Sequence, residues 1–200
     1  MASITVVNIV VTTSLEHTLH LEKIAATLPN TEYNPEQFPG LVMRIKEPKT
    51  SALLFTSGRV VCTGAKDISC AKESIHKVID SLEKVNVKIM IEPVLKVQNL
   101  VGSGELGVGI NLNMLAMNLN NTEYEPEQFP GLVYKLEKPF HASFLLFSNG
   151  KIVCTGTKSR EEMEQCLDQL VKDLKKIKNG WVEPKKGIKK KKKRVKKKKK

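Results

Sequence analysis

Long apolar runs are missing from this 200-residue chain. None reaches the roughly 18 residues of a membrane-spanning helix, and the opening MASITVVNIVV lacks the basic lead and small-residue cleavage site of a secretory signal. The expectation is an intracellular protein that does not meet a membrane. Cysteine is scarce, and the four present (Cys62, Cys70, Cys154, Cys166) form no CxxC pair. Cys62 and Cys154 lie in the matching contexts VVCTG and IVCTG and read as small strand residues, not as zinc ligands or disulfide partners. The histidines (His17, His20, His76, His141) are scattered, and no Ser/His/Asp or Cys/His arrangement recurs. No catalytic base, metal site or cofactor is expected, and enzyme activity is disfavoured. Gly102, Gly104 and Gly107 do satisfy the glycine spacing of a dinucleotide fingerprint. That fingerprint needs a parallel βαβ unit, whereas the nearby turn signals imply antiparallel hairpins.

Acidic residues are missing from the last 17 positions. The net charge of +12 is therefore local: Pro184 to Lys200 carries 12 Lys and 1 Arg. Removing those 13 from the 33 basic residues leaves 20 against 21 acids, so the body is close to neutral. A lysine run repels itself and buries nothing, so residues 181–200 are expected to be a disordered tail. It acts either as a solubilising or localising segment or as a salt-sensitive contact to polyanions.

What the chain does contain is a repeat. TEYNPEQFPGLVMRI at 31–45 returns as TEYEPEQFPGLVYKL at 122–136, and VVNIV at 6–10 as VQNLV at 97–101, both at an offset of 91. ALLFTSGRVVCTGAK at 52–66 matches FLLFSNGKIVCTGTK at 144–158 one residue further on, an insertion after Pro139. The halves are 1–91 and 92–180. Each begins with a β-branched run (Ile4 to Val11, Ile89 to Val101), followed by a short helical stretch, LEKIAATL or LNMLAMNL. Three extended segments follow, with turns at Ser57-Gly58 and Asn149-Gly150. A long amphipathic helix closes each half. One carries Ile68, Ala71, Ile75, Val78, Ile79 and Leu82 on its apolar face; the other carries Met163, Cys166, Leu167, Leu170, Val171, Leu174 and Ile177, with Ser159 to Glu162 spelling a capping box.

Helices on one side of a sheet leave its other face to water, and such strands alternate apolar with polar. These do not. Val7, Ile9 and Val11 oppose Asn8, Val10 and Thr12, while Ala52 and Leu54 oppose Leu53 and Phe55. The second apolar face either awaits a partner or is buried in a sandwich or dimer. Two similar halves in one chain create an approximate two-fold axis suited to a roughly symmetric ligand such as duplex DNA. Asn8 and Asn99 then become equivalent polar points on apolar strands. An amide can pair with the acceptors that A·T pairs show in the minor groove, while Val10 and Val101 disfavour the amino group of G·C. A lone strand Asn more often marks an edge or a bulge; repetition favours the functional reading. Phe38, Phe55, Phe129 and Phe147, four of only six phenylalanines, repeat as well.

The doubled EYxPEQFPGLV, the LLF hairpins ending in VCTG(A/T)K and the N(I/L)V strands closely resemble the TATA-box-binding protein family, over about residues 4–178. The resemblance implies an α+β fold: a saddle whose curved, ten-stranded antiparallel sheet carries four helices on its convex face and DNA on its concave face. It implies base-edge bonds from Asn8 and Asn99, an apolar floor of Val10, Val61, Val101 and Val153, and central hydrogen bonds from Thr63 and Thr155. Phe38 with Phe55, and Phe129 with Phe147, would be wedges between base steps, with Leu53 and Leu145 beside them. Arg44, Lys49, Ser57, Arg59, Lys135 and Lys151 would meet phosphates. Glu125 and Glu127 would contact a transcription factor B-type protein, through which RNA polymerase is recruited to promoter DNA. The match looks archaeal, which implies a nucleoid-associated cytoplasmic protein; a eukaryotic one would be nuclear. Gln37 and Gln128, and the extra Phe140-His141, depart from the pattern and leave phosphate contact near Phe140 without support. A paralogue lacking TATA preference, or a polyanion binder driven by the lysine tail, are the competing readings.

Overall fold

The computed structural model describes residues 2–182. The first half runs β1 (Ser3–Ser14), α1 (Leu21–Thr27), β2 (Thr31–Glu32), β3 (Leu41–Ile45), β4 (Thr50–Leu54), β5 (Arg59–Ala65) and α2 (Ile68–Glu83). The second runs β6 (Lys96–Glu105), β7 (Gly109–Ile110), α3 (Leu112–Asn118), β8 (Thr122–Glu123), β9 (Gly131–Leu136), β10 (Ala142–Phe147), β11 (Lys151–Thr157), α4 (Arg160–Lys175) and β12 (Trp181–Val182). Ten strands form one antiparallel sheet in the order β2-β3-β4-β5-β1-β6-β11-β10-β9-β8. Read from either end, the order visits equivalent strands. β1 and β6 join the halves, and Ile9 pairs with Leu100, its own counterpart at the repeat offset of 91. The pseudo-two-fold axis therefore passes between these two residues.

Strand burial has a period of two. In β4, Thr50, Ala52 and Leu54 are buried while Ser51 and Leu53 are not; in β10, Ala142, Phe144 and Leu146 are buried while Ser143, Leu145 and Phe147 are not. The buried set packs against the helices. α2 contributes Ala71, Ser74, Ile75, Val78 and Leu82, and α4 contributes Met163, Cys166, Leu167, Leu170 and Leu174. Ser74 fits this apolar stripe because its hydroxyl donates to the Cys70 carbonyl and accepts from Thr50 Oγ1 at 2.9 Å. Ile68, expected on the same stripe, is exposed; it is the first helical residue, and the stripe begins one turn later.

Both long helices are capped by side chains: Asp67 Oδ1 accepts from the Cys70 N–H at 2.8 Å, and Ser159 Oγ from the Glu162 N–H at 3.1 Å. The return arm of the expected capping box reaches one residue further, with the Lys158 N–H donating to Glu162 Oε2 at 2.7 Å. The hairpins close through three-residue loops, Thr56 to Gly58 and Ser148 to Gly150. Only the glycines take positive φ (79° and 84°), so neither is the two-residue turn the dipeptides suggest.

Three further expectations shift. The apolar run from Ile89 does not begin a strand. β6 starts at Lys96, after Pro93, which has no N–H for a ladder, and Met90 and Val94 are exposed. Val7 does not share a face with Ile9 and Val11, because β1 bulges there. Trp181 and Val182, placed in the tail by composition, pair with Ile110 and Gly109. The lysine-rich run from Pro184 to Lys200 lies outside the described residues.

Candidate nucleic-acid interface

The sheet face away from the helices is apolar and open; among the described residues nothing covers it. Its centre is built from two matched bulges. Between the pairs Val6–Gly102 and Asn8–Val101, β1 has one extra residue, Val7; between Val10–Asn99 and Val11–Val97, β6 has one extra residue, Gln98. A second pair of bulges lies beside them, at Gly64 in β5 and Gly156 in β11, with φ of 96° and 104°, a backbone region that glycine enters without strain.

These bulges aim the two asparagines. The Gly64 N–H donates to Asn8 Oδ1 at 2.7 Å, and the Gly156 N–H to Asn99 Oδ1 at 2.8 Å. A backbone N–H can only donate, so the atom facing it is the carbonyl oxygen and the amide orientation is fixed. Each Nδ2 then donates one hydrogen to a threonine hydroxyl, Thr63 at 3.2 Å or Thr155 at 3.0 Å, leaving its second hydrogen for a ligand. Asn8 stands opposite Val101 and Asn99 opposite Val10. Val61 and Val153 extend the floor, in register with Leu53 and Leu145. The asparagines are therefore neither edge residues nor the extra residues of the bulges; each is a paired residue directly beside one.

Towards each end the aromatic rings pair. Phe38 and Phe55 lie 5.9 Å apart at 67°, and Phe129 and Phe147 lie 6.0 Å apart at 64°, both edge-to-face. Phe38 and Phe129 are among the few large apolar side chains left exposed. Glycine makes room for them: a Cβ on Gly40 would come within 2.6 Å of the Phe38 ring, and one on Gly131 within 2.6 Å of the Phe129 ring. The PEQFPG motif thus sets Phe38 and Phe129 edge-to-face against Phe55 and Phe147 of the hairpins.

The expected phosphate-contact residues Arg44, Lys49, Ser57, Arg59, Lys135 and Lys151 are all exposed. Arg44 and Lys135 do not stand alone. Arg44 pairs with Glu32 at 3.3 Å, and Lys135 with Glu123, counterparts at the repeat offset. Glu125 and Glu127 are exposed in the turn before Phe129, whose N–H donates to the Glu125 carbonyl at 2.9 Å. Phe140 points into the protein and packs on the core, which removes it from the interface. Sequence reasoning passed over Val42 and Val133, in register with Leu53 and Leu145, and Ser51 and Ser143, opposite Thr63 and Thr155. Their signal was present: each occupies the same phase as a nominated neighbour. It also passed over Val7 and Gln98.

All four cysteines are free thiols, and burial pushes Cys154 up to about 12. Gly102 and Gly104 lie within β6, between two antiparallel neighbours, which is no dinucleotide turn. Among the described residues no helix is long and apolar enough to cross a membrane.

Fold and floor together define a two-repeat saddle with an open, apolar, nearly symmetric underside. The model of the family described as transcription factor TFIID (or TATA-binding protein, TBP) matches residues 3–85 and again 94–177. The TATA-box-binding protein of Picrophilus torridus is 49% identical over 179 residues, covering 88% of this chain and 97% of that protein. The TATA-box-binding protein of Methanosphaera stadtmanae is 51% identical over 159 residues, 80% of this chain and 86% of the relative. A solved structure, Methanococcus jannaschii TBP, matches with a TM-score of 0.80 at 43% identity, over 88% of this chain and 99% of that one. The chain belongs to the TATA-box-binding protein family.

Proposed function

We propose that this protein is a general transcription initiation factor that binds the minor groove of TATA-box promoter DNA and kinks it with its phenylalanine pairs. The observation that carries the reading is the pair of outward Nδ2 donors of Asn8 and Asn99, set in a valine floor. A·T pairs offer only acceptors to the minor groove, so two fixed donors fit them, and Val10 and Val101 leave the amino group of a G·C pair without a partner. Phe38 with Phe55, and Phe129 with Phe147, enter base steps near either end of the site. Unstacking costs on the order of a few kcal/mol per step, which favours flexible pyrimidine–purine steps and is offset by apolar contact with Val61, Val153, Leu53 and Leu145. Thr63 and Thr155 hold the asparagine amides and reach the same base edges. Arg44, Lys49, Ser57, Arg59, Lys135 and Lys151 fix register on the phosphates. Glu125 and Glu127 present an acidic contact to a transcription factor B-type protein, through which RNA polymerase joins, and the protein works in the nucleoid.

The test compares affinities for a TATA-like duplex and a scrambled G·C-rich duplex at fixed salt, with end-labelled fluorophores reporting bending. The reading requires strong preference and a sharp bend, both lost on Phe129→Ala with Phe147→Ala. Equal affinities without bending overturn it. The lysine run motivates the alternative of a polyanion binder: deleting residues 184–200 would then abolish binding, whereas a saddle-driven interaction largely survives.

A further inference from the structure

The floor of the saddle is symmetric at nearly every position that faces a ligand. Asn8 matches Asn99, Val10 matches Val101, Thr63 matches Thr155, Val61 matches Val153, and Leu53 matches Leu145. Residues identical about the two-fold axis cannot distinguish one half of a duplex site from the other. The counterpart bulge residues break the match, because position 7 is valine and position 98 is glutamine. Both bulges adjoin the central asparagines, on the two strands that cross the axis.

Their surroundings differ in the same sense. Gln98 Nε2 donates to Thr12 Oγ1 at 2.7 Å, and Gln98 lines two hollows, one beside Asn99 and Thr155 and the other beside Phe55 and Val61. The Thr12 hydroxyl can donate as well as accept, so the Gln98 amide can turn Oε1, a hydrogen-bond acceptor, to a ligand. Val7, 45% exposed, presents only methyl groups at the equivalent point. In the minor groove the one feature that calls for an acceptor is the guanine amino group; A·T pairs show acceptors alone.

We infer that Gln98 is a specificity-determining residue that sets the orientation of the protein on its DNA, by accepting the amino hydrogen of a G·C pair in the half-site it faces while Val7 rejects that pair in the other half. This rests on the proposed minor-groove reading and adds to it a reason for a directed complex on a nearly symmetric site. The charged groups cannot supply that direction, since phosphates are alike in both halves.

The experiment uses the full chain with a donor dye ligated to its N-terminus and a palindromic A·T-rich duplex carrying an acceptor dye at one end or the other. A single G·C pair is placed in turn at each position of one half, and affinity and energy transfer are read in the same titration. At the position facing Gln98 the wild-type protein should favour one orientation by roughly fivefold, the worth of one neutral hydrogen bond. Gln98→Val should bind the G·C-containing duplex in both orientations equally, each affinity being read relative to the same variant's affinity for the all-A·T duplex. Val7→Gln combined with Gln98→Val should reverse the preference, with stronger transfer to the opposite end. Preference unchanged in Gln98→Val, whether or not the double variant folds, overturns the inference. A wild-type protein that does not prefer the A·T duplex at all fails the minor-groove reading instead, a separate outcome of the same titration.

Discussion

Asn99→Asp separates what holds the floor together from what it offers a ligand. Asn99 Oδ1 accepts from the Gly156 N–H at 2.8 Å and lies 3.3 Å from the Thr155 hydroxyl, while Nδ2 provides the outward hydrogen. A carboxylate keeps the acceptor that the bulge needs, and the Thr155 hydroxyl can turn to donate to it in place of the bond it accepts from Nδ2, so only the outward donor goes unreplaced and Asn99→Asp should unfold at the wild-type temperature. Asn99→Ala leaves the Gly156 N–H without its side-chain partner and should be less stable, by at most about 1 kcal/mol because Gly156 is exposed to water. Binding should rank differently. Aspartate sets an acceptor against the acceptors of an A·T pair and carries charge into an apolar interface, a combined loss of about 3 kcal/mol, or roughly 100-fold in Kd. Alanine loses the donor alone, about 1 kcal/mol. Denaturant melts and fluorescence anisotropy on an A·T-rich duplex at fixed salt measure both. An Asn99→Asp protein that binds within threefold of wild type would refute the outward-donor geometry; one that unfolds as readily as Asn99→Ala would refute the glycine anchor.

Other expectations concern the wedges, the second half's hydrogen-bond cluster and the helix caps. Gly131→Ala puts a Cβ within 2.6 Å of the Phe129 ring and 3.2 Å of Phe147, so the pair must swing aside; the fold should persist while the DNA bend in a fluorescence-transfer assay shrinks, and an unchanged bend would count against a fixed wedge. Tyr134 donates to Asp173 Oδ2 at 3.2 Å, and burial, together with that carboxylate, pushes the phenol up to about 12. A raised pKa stabilises the fold below the unfolded value near 10 and loses that contribution as pH climbs towards 12, so guanidinium melts should show an alkaline loss of stability that Tyr134→Phe lacks. Burial opposes the charge of Asp173, but hydrogen bonds from Lys176, Gln169 and Tyr134 outweigh it and hold the carboxyl below 3.8; acid should remove this contribution only as the group protonates below that value, visible as a smaller acid sensitivity in Asp173→Asn. Ser159→Ala removes the α4 cap and should cost about 1 kcal/mol, a Tm drop of roughly 2–4 °C by calorimetry.

Much of the candidate interface was legible because the chain states it twice. The repeated PEQFPG and LLF segments each held one ring of the aromatic pairs, and the PEQFPG glycines explain why the rings stand where they do. The repeated asparagines and VCTG segments gave the floor, and the conserved phase of each strand carried Val42, Val133, Ser51 and Ser143 with it, unread. Charges were the least legible: Arg44 and Lys135 look free in sequence, yet each lies beside a glutamate on the neighbouring strand, set by pairing Glu32 with Val42 and Glu123 with Val133. Local composition misjudged Ile68 and Trp181 because burial at an element's end depends on what lies beneath it, not on the residue's own apolarity.

The sequence by itself determined the two-fold plan, since an offset of 91 residues makes two similar units that bury the same faces, and it determined the helices, whose hydrogen bonds and apolar stripes are local. Only the tertiary structure decided which residues of the central strands face the open side of the sheet. Side chains alternate with a period of two, so one unpaired residue moves every later side chain to the other face, and whether a residue is unpaired depends on a partner strand 91 residues away. That is why Val7 left the core, why Gly64 and Gly156 came to hold the asparagine oxygens, and why Gln98 stands on the floor of the saddle.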